Sequence, residues 1–194
     1  MAKKFIIAVD VDGVLADSIK QMLRIIEEET GVKKTEEEIK HYDLSDIGLP
    51  REYIMYAFRK AWMEYEKIKL VDPNIPYILK KLHEQAIIYI VTSSIGADNE
   101  IIGWLEMNNI VYDKLVHVKK DNEKLSVEAD VFIEDNPYLA IELDKVGKSV
   151  IVLQRPWNGV LQEPWIKFKN NGITFAVNWS ELFGILNEKL VGSS

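Results

Sequence analysis

The feature that most constrains this chain lies close to its start. Phe5-Ile6-Ile7-Ala8-Val9 is a short, largely β-branched apolar run, and it passes directly into Asp10-Val11-Asp12-Gly13. A run of this length and composition reads as a strand buried on both faces of a parallel sheet. Charged side chains follow such a strand closely where it ends at the open carboxyl edge of an α/β sheet, the edge at which these sheets bind ligands. Two readings of Asp10 and Asp12 are open at this point. They form a solvated Asp-Gly turn, or they repel one another and call for a hard cation bound through oxygen.

The rest of the chain alternates. Ile19, Met22, Leu23 and Ile26 recur at helical spacing, with Gly31 as a stop. Thr35 and Glu38 make a capping box for a short helix through Ile39. Pro50 opens a longer helix with Tyr53, Ile54, Ala57, Phe58, Ala61, Trp62 and Tyr65 on one broad face. No stretch from Ala16 to Asp72 reads as a strand. From Pro73 onward, helices alternate with apolar runs at Ile87 to Val91, Leu115 to Val118, Val131 to Ile133, Val150 to Leu153 and Ile173 to Val177, before a terminal helix from Ser180 to Leu190. Alternation of this kind implies right-handed crossovers and a doubly wound, mostly parallel α/β sheet. The expected organisation is a core of residues 1–15 and 73–194, with residues 16–72 as a small all-helical cap inserted after the first strand.

Bulk properties narrow the partners. The net charge of −7 argues against a nucleic-acid polymer or an anionic membrane as partner. Cysteine is absent, which excludes disulfides, thiolate metal sites and cysteine nucleophiles. His41, His83 and His117 show no ligand spacing. Lys3-Lys4 with the following apolar run is too short for a secretion signal, and no stretch has the length of a membrane span. The expectation is a soluble cytoplasmic protein, with a homo-oligomer left open.

Three expected strands end in polar chemistry: Asp10 and Asp12, then Thr92 and Ser93, then Glu134 and Asp135. Parallel strands point their carboxyl ends to one edge, so these groups can meet in one crevice. Two facing acidic pairs call for a cation between them, and Mg²⁺ is suited to a few carboxylates plus a backbone carbonyl.

In this order, Asp10-Val11-Asp12-Gly13-Val14, the strand ending in Thr92, a lysine, and Glu134-Asp135 resemble the four motifs of the haloacid dehalogenase (HAD) superfamily of phosphatases. The resemblance implies a HAD-like, Rossmannoid core with a cap. It implies Asp10 as nucleophile and Asp12 as general acid/base. Mg²⁺ is then held by Asp10, the backbone carbonyl of Asp12, and Asp135, with Glu134 in the outer shell. Thr92 and Ser93 would bind phosphate together with one of Lys114, Lys119, Lys120 and Lys124. Lys124 is chosen because it opens the segment leading into the fourth strand. Asp10 to Asp17, Lys124 to Pro137 and Asn178-Trp179 are most similar to the 5′(3′)-deoxyribonucleotidases, which implies a nucleoside monophosphate as substrate.

One position departs from that group. Where those enzymes commonly carry an aromatic residue that stacks on the base, this chain has Ser18. The expected specificity residues are therefore Ser18 itself, Phe58 and Trp62 in the insertion, and Trp157 in the loop after the fifth strand; Tyr42 is a further ring in the insertion. A sugar phosphate or another small phosphorylated metabolite is the alternative substrate, and a non-catalytic binding module is the third reading.

Overall fold

The computed structural model describes residues 4–93, 96–163, 168 and 172–192. Six strands form one sheet: β1 (Ile6–Val9), β2 (Ile87–Thr92), β3 (Lys114–His117), β4 (Val131–Glu134), β5 (Ser149–Leu153) and β6 (Ile173–Ala176). Their order is β3-β2-β1-β4-β5-β6, and every neighbouring pair is parallel. The fold is thus α/β and doubly wound, with parallel pairing throughout the described strands.

The period-two pattern of the strands fills two cores at once. Ile7, Val9, Ile88, Ile90, Val131, Ile133, Ile151 and Leu153 face one side. They pack against the helices α3 (Ile75–His83), α4 (Asp98–Met107) and α6 (Trp179–Gly192). Ala8, Val91, Phe132, Val150 and Val152 face the other side, under α5 (Pro137–Lys145). A one-residue shift of any strand would exchange its two faces, so the two layers of helices fix the register.

Between β1 and α3 the regular elements of the described chain are all helical: α1 (Ser18–Thr30), α2 (Arg51–Met63) and three 3₁₀ turns. Gly31 ends α1 at φ 75°, the left-handed region that glycine enters without a Cβ clash. The capping box at Thr35 and Glu38 forms around a single 3₁₀ turn, Glu36–Glu38, because Ile39 is already extended. Pro50 immediately precedes α2, whereas Tyr65 lies beyond it in a separate turn, Tyr65–Lys67. Ile19, Met22, Ile26, Ile39, Ile54 and Ala57 form a third core, separate from the two on the sheet faces. The two ends of this helical segment lie side by side: Asp17 N–H donates to the Lys69 carbonyl (2.8 Å) and Val71 N–H to the Leu15 carbonyl (2.9 Å).

The strand order reverses at β1, which has β2 on one side and β4 on the other. In open α/β sheets the ligand crevice lies outside the carboxyl ends of the strands at such a switch point. The turn that leaves β1 there is a tight coil, in which the Leu15 and Ala16 amides both donate to the Val11 carbonyl at 2.9 Å. The last helix holds it from behind: the buried Trp179 indole donates to the Val14 carbonyl at 2.9 Å. Trp179→Phe keeps the ring and leaves that carbonyl without its donor. Urea unfolding should show a loss of about 1–3 kcal/mol, and an unchanged midpoint would show that the bond contributes nothing.

Candidate active site

The carboxyl ends of β1 and β4 bring three buried carboxylates together. Asp10, Glu134 and Asp135 each offer an oxygen within 4.8 Å of the others. Their exposures are 7%, 1% and 3%. Lys124, also buried, puts Nζ 2.8 Å from Asp10 Oδ1 and 2.8 Å from Glu134 Oε1. It rides on the 3₁₀ segment Asp121–Ser126, just ahead of β4. Of the four candidate lysines, Lys124 is thus the one with ion pairs to this cluster.

Three carboxylates face one ammonium, and the electrostatics record the imbalance. Burial and the charge of Asp10 push Asp135 up to about 8. The same two causes raise Glu134 well above the carboxylate range. Burial favours the neutral amine of Lys124, yet Asp10 and Glu134 hold its pKa above the usual lysine value. Glu134 Oε2 is buried and has no hydrogen-bond partner. Crowded oxygen donors, surplus negative charge and an orphaned carboxylate oxygen all fit a hard divalent cation, so this cluster is able to hold one.

Local backbone explains how the acids come so close. Gly13 sits at φ 73°, and a Cβ there would overlap Asp135 Oδ2 and come within 3.2 Å of the Trp157 ring. Glycine is required at this point by both conformation and space. Asp10 Oδ1 accepts the Val11 amide at 2.8 Å, which turns that carboxylate back toward Lys124.

The remaining expected residues are placed as follows. Thr92 is fully buried at the end of β2. The Ser93 hydroxyl donates to Asp121 Oδ1. Asp12 is half-buried, and its Oδ1 accepts from the Ser18 hydroxyl at 2.6 Å and from the Trp62 indole at 3.0 Å. Ser18 and Trp62 were expected to face substrate; both are buried, and their polar atoms point at Asp12 instead. Trp157 has a comparable task. It is 2% exposed, its ring packs in the core of the helical insertion, and its indole donates to Asp135 Oδ2 at 2.9 Å. An indole whose faces are packed and whose N–H is taken offers no open face to a base. Phe58 is half-buried and packs against the core of the helical segment and the sheet-face core under α3, α4 and α6.

Several neighbours were not singled out from sequence. Asp121 accepts from Ser93 and from Asn136 Nδ2 (2.9 Å), which ties the loops after β2 and β4 to the segment carrying Lys124. Asn136 also caps α5 by accepting from the amides of Tyr138 (3.0 Å) and Leu139 (3.2 Å). Its position next to Asp135 and before Pro137 is an N-cap signal that the sequence does carry. Asn158 donates to the Asp135 carbonyl at 3.0 Å. Arg155 crosses to the insertion, with Nη2 at 2.8 Å from Glu36 and 3.5 Å from Asp17. Tyr42 leans from the insertion onto Tyr138, ring centroids 6.3 Å apart and nearly perpendicular. Burial and the carboxylates Asp135, Asp121 and Asp10 raise its phenol well above the usual tyrosine value, so it stays protonated and able to donate.

No helix among the described residues is long and apolar enough to cross a membrane. The family model described as 5′ nucleotidase, deoxy (pyrimidine), cytosolic type C protein matches residues 4–181. The chain is 25% identical over 188 residues to a nucleotidase of Clostridium acetobutylicum, covering 93% of each chain. It is 29% identical over 171 residues to a provisionally named 5′(3′)-deoxyribonucleotidase of Chlorobaculum tepidum, covering 81% of this chain and 83% of that one. Among solved structures, a provisionally assigned HAD-hydrolase of Bacillus subtilis, bound to magnesium, superposes with a TM-score of 0.59 at 13% identity, over 95% of this chain and 100% of that one. That likeness shows a HAD-like fold. With the family model spanning nearly the whole chain, the protein belongs to the 5′ nucleotidase, deoxy (pyrimidine), cytosolic type C family and is a phosphoric monoester hydrolase.

Proposed function

We propose that this protein is a Mg²⁺-dependent 5′-nucleotidase that hydrolyses (deoxy)nucleoside monophosphates through an aspartyl-phosphate on Asp10. The observation that carries the reading is the cluster of Asp10, Glu134 and Asp135 around Lys124, with Asp12 two residues along the same turn. Family membership and the nucleotidase relatives support a nucleoside monophosphate as the substrate class. Residues 16–72 are read as a cap over this crevice.

In the proposed reaction an Asp10 carboxylate oxygen attacks phosphorus, and the bond from phosphorus to the ester oxygen breaks. Asp12 gives its proton to the departing alcohol, which leaves as the nucleoside. Water then attacks the phospho-aspartate; Asp12 takes a proton from it, the bond from phosphorus to the Asp10 oxygen breaks, and phosphate leaves. Lys124 lies against Asp10 and would offset negative charge on the transferring group. Thr92, Ser93 and the Tyr42 phenol are the candidate donors to phosphate oxygens. Asp10, Asp135 and the Asp12 carbonyl would hold Mg²⁺, with Glu134 in its outer shell. Bound there, the ion would neutralise charge between nucleophile and phosphate.

A sugar phosphate is the second reading, and one observation favours it. Trp62 and Trp157, the large rings expected to meet a base, are both buried and hydrogen-bonded to carboxylates. That leaves Tyr42 and Phe58 as the half-buried rings of the expected set.

Phosphate release from a panel of deoxynucleotides, ribonucleotides and sugar phosphates, with Mg²⁺ and with chelator, tests the reading. Deoxynucleoside monophosphates should be preferred and chelator should abolish turnover; a preference for sugar phosphates moves the assignment to the second reading. Asp10→Asn should lower kcat by about 10³-fold or more, since an amide is a poor nucleophile, and retained turnover would remove the covalent route. Metal binding has a readout of its own in thermal unfolding. Without divalent ions Asp135→Asn should melt higher than wild type, because one of three crowded carboxylates is gone while the Trp157 donor keeps an acceptor. Saturating Mg²⁺ should then stabilise wild type by about 2–3 kcal/mol and the variant far less. Equal Mg²⁺ shifts in the two proteins would move the ion elsewhere.

A further inference from the structure

Asp12 is held by two donors of unlike origin. Ser18, the first residue of α1, follows it in the same stretch of chain, and its hydroxyl lies 2.6 Å from Asp12 Oδ1. Trp62 comes from the far end of the helical insertion, fifty residues on in sequence, and its indole nitrogen lies 3.0 Å from the same oxygen. Two donors on one oxygen leave the carboxylate little freedom to turn, because any rotation breaks both bonds.

The indole is itself immobilised. Trp62 is 1% exposed and sits on the buried face of α2 with Ile54, Ala57 and Ala61. Its ring meets Trp104 of α4 edge-on, centroids 6.2 Å apart. Trp104 is fixed in turn by its own indole bond to the Ile68 carbonyl at 2.9 Å. A continuous path therefore runs from a core helix through two indoles in edge-on contact to one carboxylate oxygen. Simple packing would be satisfied by any large apolar ring at position 62. The observed contact spends the one polar atom of that ring on Asp12.

We propose that Trp62 is a positioning residue for the proton-transferring Asp12, so that the helical insertion orients the acid in the turn after β1. The proposal rests on the reading of Asp12 as general acid/base given above. Seating of α2 and alignment of the acid then become one event, and Ser18 supplies the second half of the clamp. Position 18 is accordingly a determinant of proton transfer.

The discriminating experiment uses leaving groups. A nucleoside 5′-monophosphate expels an alkoxide that needs the proton of Asp12; p-nitrophenyl phosphate expels a phenolate that leaves without one. Because kcat/KM reports the steps through release of the first product, it isolates the protonation of the leaving group from the later attack of water. Trp62→Phe should lower kcat/KM for the nucleotide by about 10- to 100-fold, carried by kcat with KM little changed, and leave p-nitrophenyl phosphate within about 2-fold of wild type. An equal loss on both substrates would reduce Trp62 to packing, and no loss on either would remove the clamp; both outcomes overturn the proposal. Should Trp62→Phe not fold, Ser18→Ala carries the same test, with the same dependence on leaving group expected. Where both variants fold, the double variant should lose less than the sum of the single losses, since the two donors serve one oxygen; strict additivity would overturn the shared clamp. If wild type releases phosphate from neither substrate, the parent reading falls and takes this proposal with it. If wild type turns over normally and only the leaving-group dependence is missing, the parent reading stands and this proposal alone falls. The bond also has a direct signature: the Trp62 indole proton resonance should move, and exchange faster with solvent, in Asp12→Ala.

Discussion

The structure depends on a surplus of buried negative charge. Asp10, Glu134 and Asp135 converge at the ends of two adjacent parallel strands, and Lys124 is the ammonium ion-paired within that cluster. Isolated buried carboxylates cost several kcal/mol each, so such a cluster persists only if the surrounding fold holds it in place. The holding groups are visible. The β1–β4 ladder sets the two strand ends side by side, Gly13 admits Asp135 where any side chain would collide, and Asn136 anchors the next helix directly after the acids. The rest of the site can be understood as what is needed to keep these charges in register at the two strand ends.

The helical insertion is bound into that arrangement. Trp157 belongs to the chain after β5, yet its ring lies in the core of the insertion and its indole reaches Asp135. Trp62 belongs to the insertion, yet its ring lies in the core of the sheet layer and its indole reaches Asp12. Each tryptophan thus crosses the boundary in the opposite sense and ends on a carboxylate. Arg155 adds a third crossing through Glu36 and Asp17. Burial pushes the Glu36 carboxyl up to about 7, although Arg155 favours its charged form. Motion of the insertion relative to the sheet would therefore disturb the groups at the strand ends directly.

Much of this was legible in the sequence because it is local. Short apolar runs located the six described strands to within a residue or two, and Lys124, the lysine chosen from four for its place ahead of the fourth strand, is the one ion-paired with Asp10 and Glu134. The residue roles at the site remain a proposal that this geometry supports. The aromatic residues were less legible. Trp62 and Trp157 were expected to present a face to substrate, but an indole also carries a donor at its edge, and sequence spacing does not say which of the two meets the site. Ser18 was read as a missing ring; its hydroxyl instead completes the grip on Asp12. Asp121 gave no signal, since a lone acid three residues before a lysine is ordinary surface chemistry until the fold brings Ser93 and Asn136 to it.

By itself the sequence determined the alternation of strands and helices, and with it a doubly wound sheet whose carboxyl edge gathers Asp10, Asp12, Thr92 and Asp135. That follows from backbone periodicity and from the rule that parallel strands end on one side, neither of which needs long-range contacts. Only the tertiary structure decided which polar atoms meet. The indoles that meet Asp12 and Asp135, those of Trp62 and Trp157, lie on elements far along the chain, and their contact depends on how helix faces pack across the sheet. Packing is a property of the assembled cores, and it turned two rings expected to read the substrate into the groups that hold its acids.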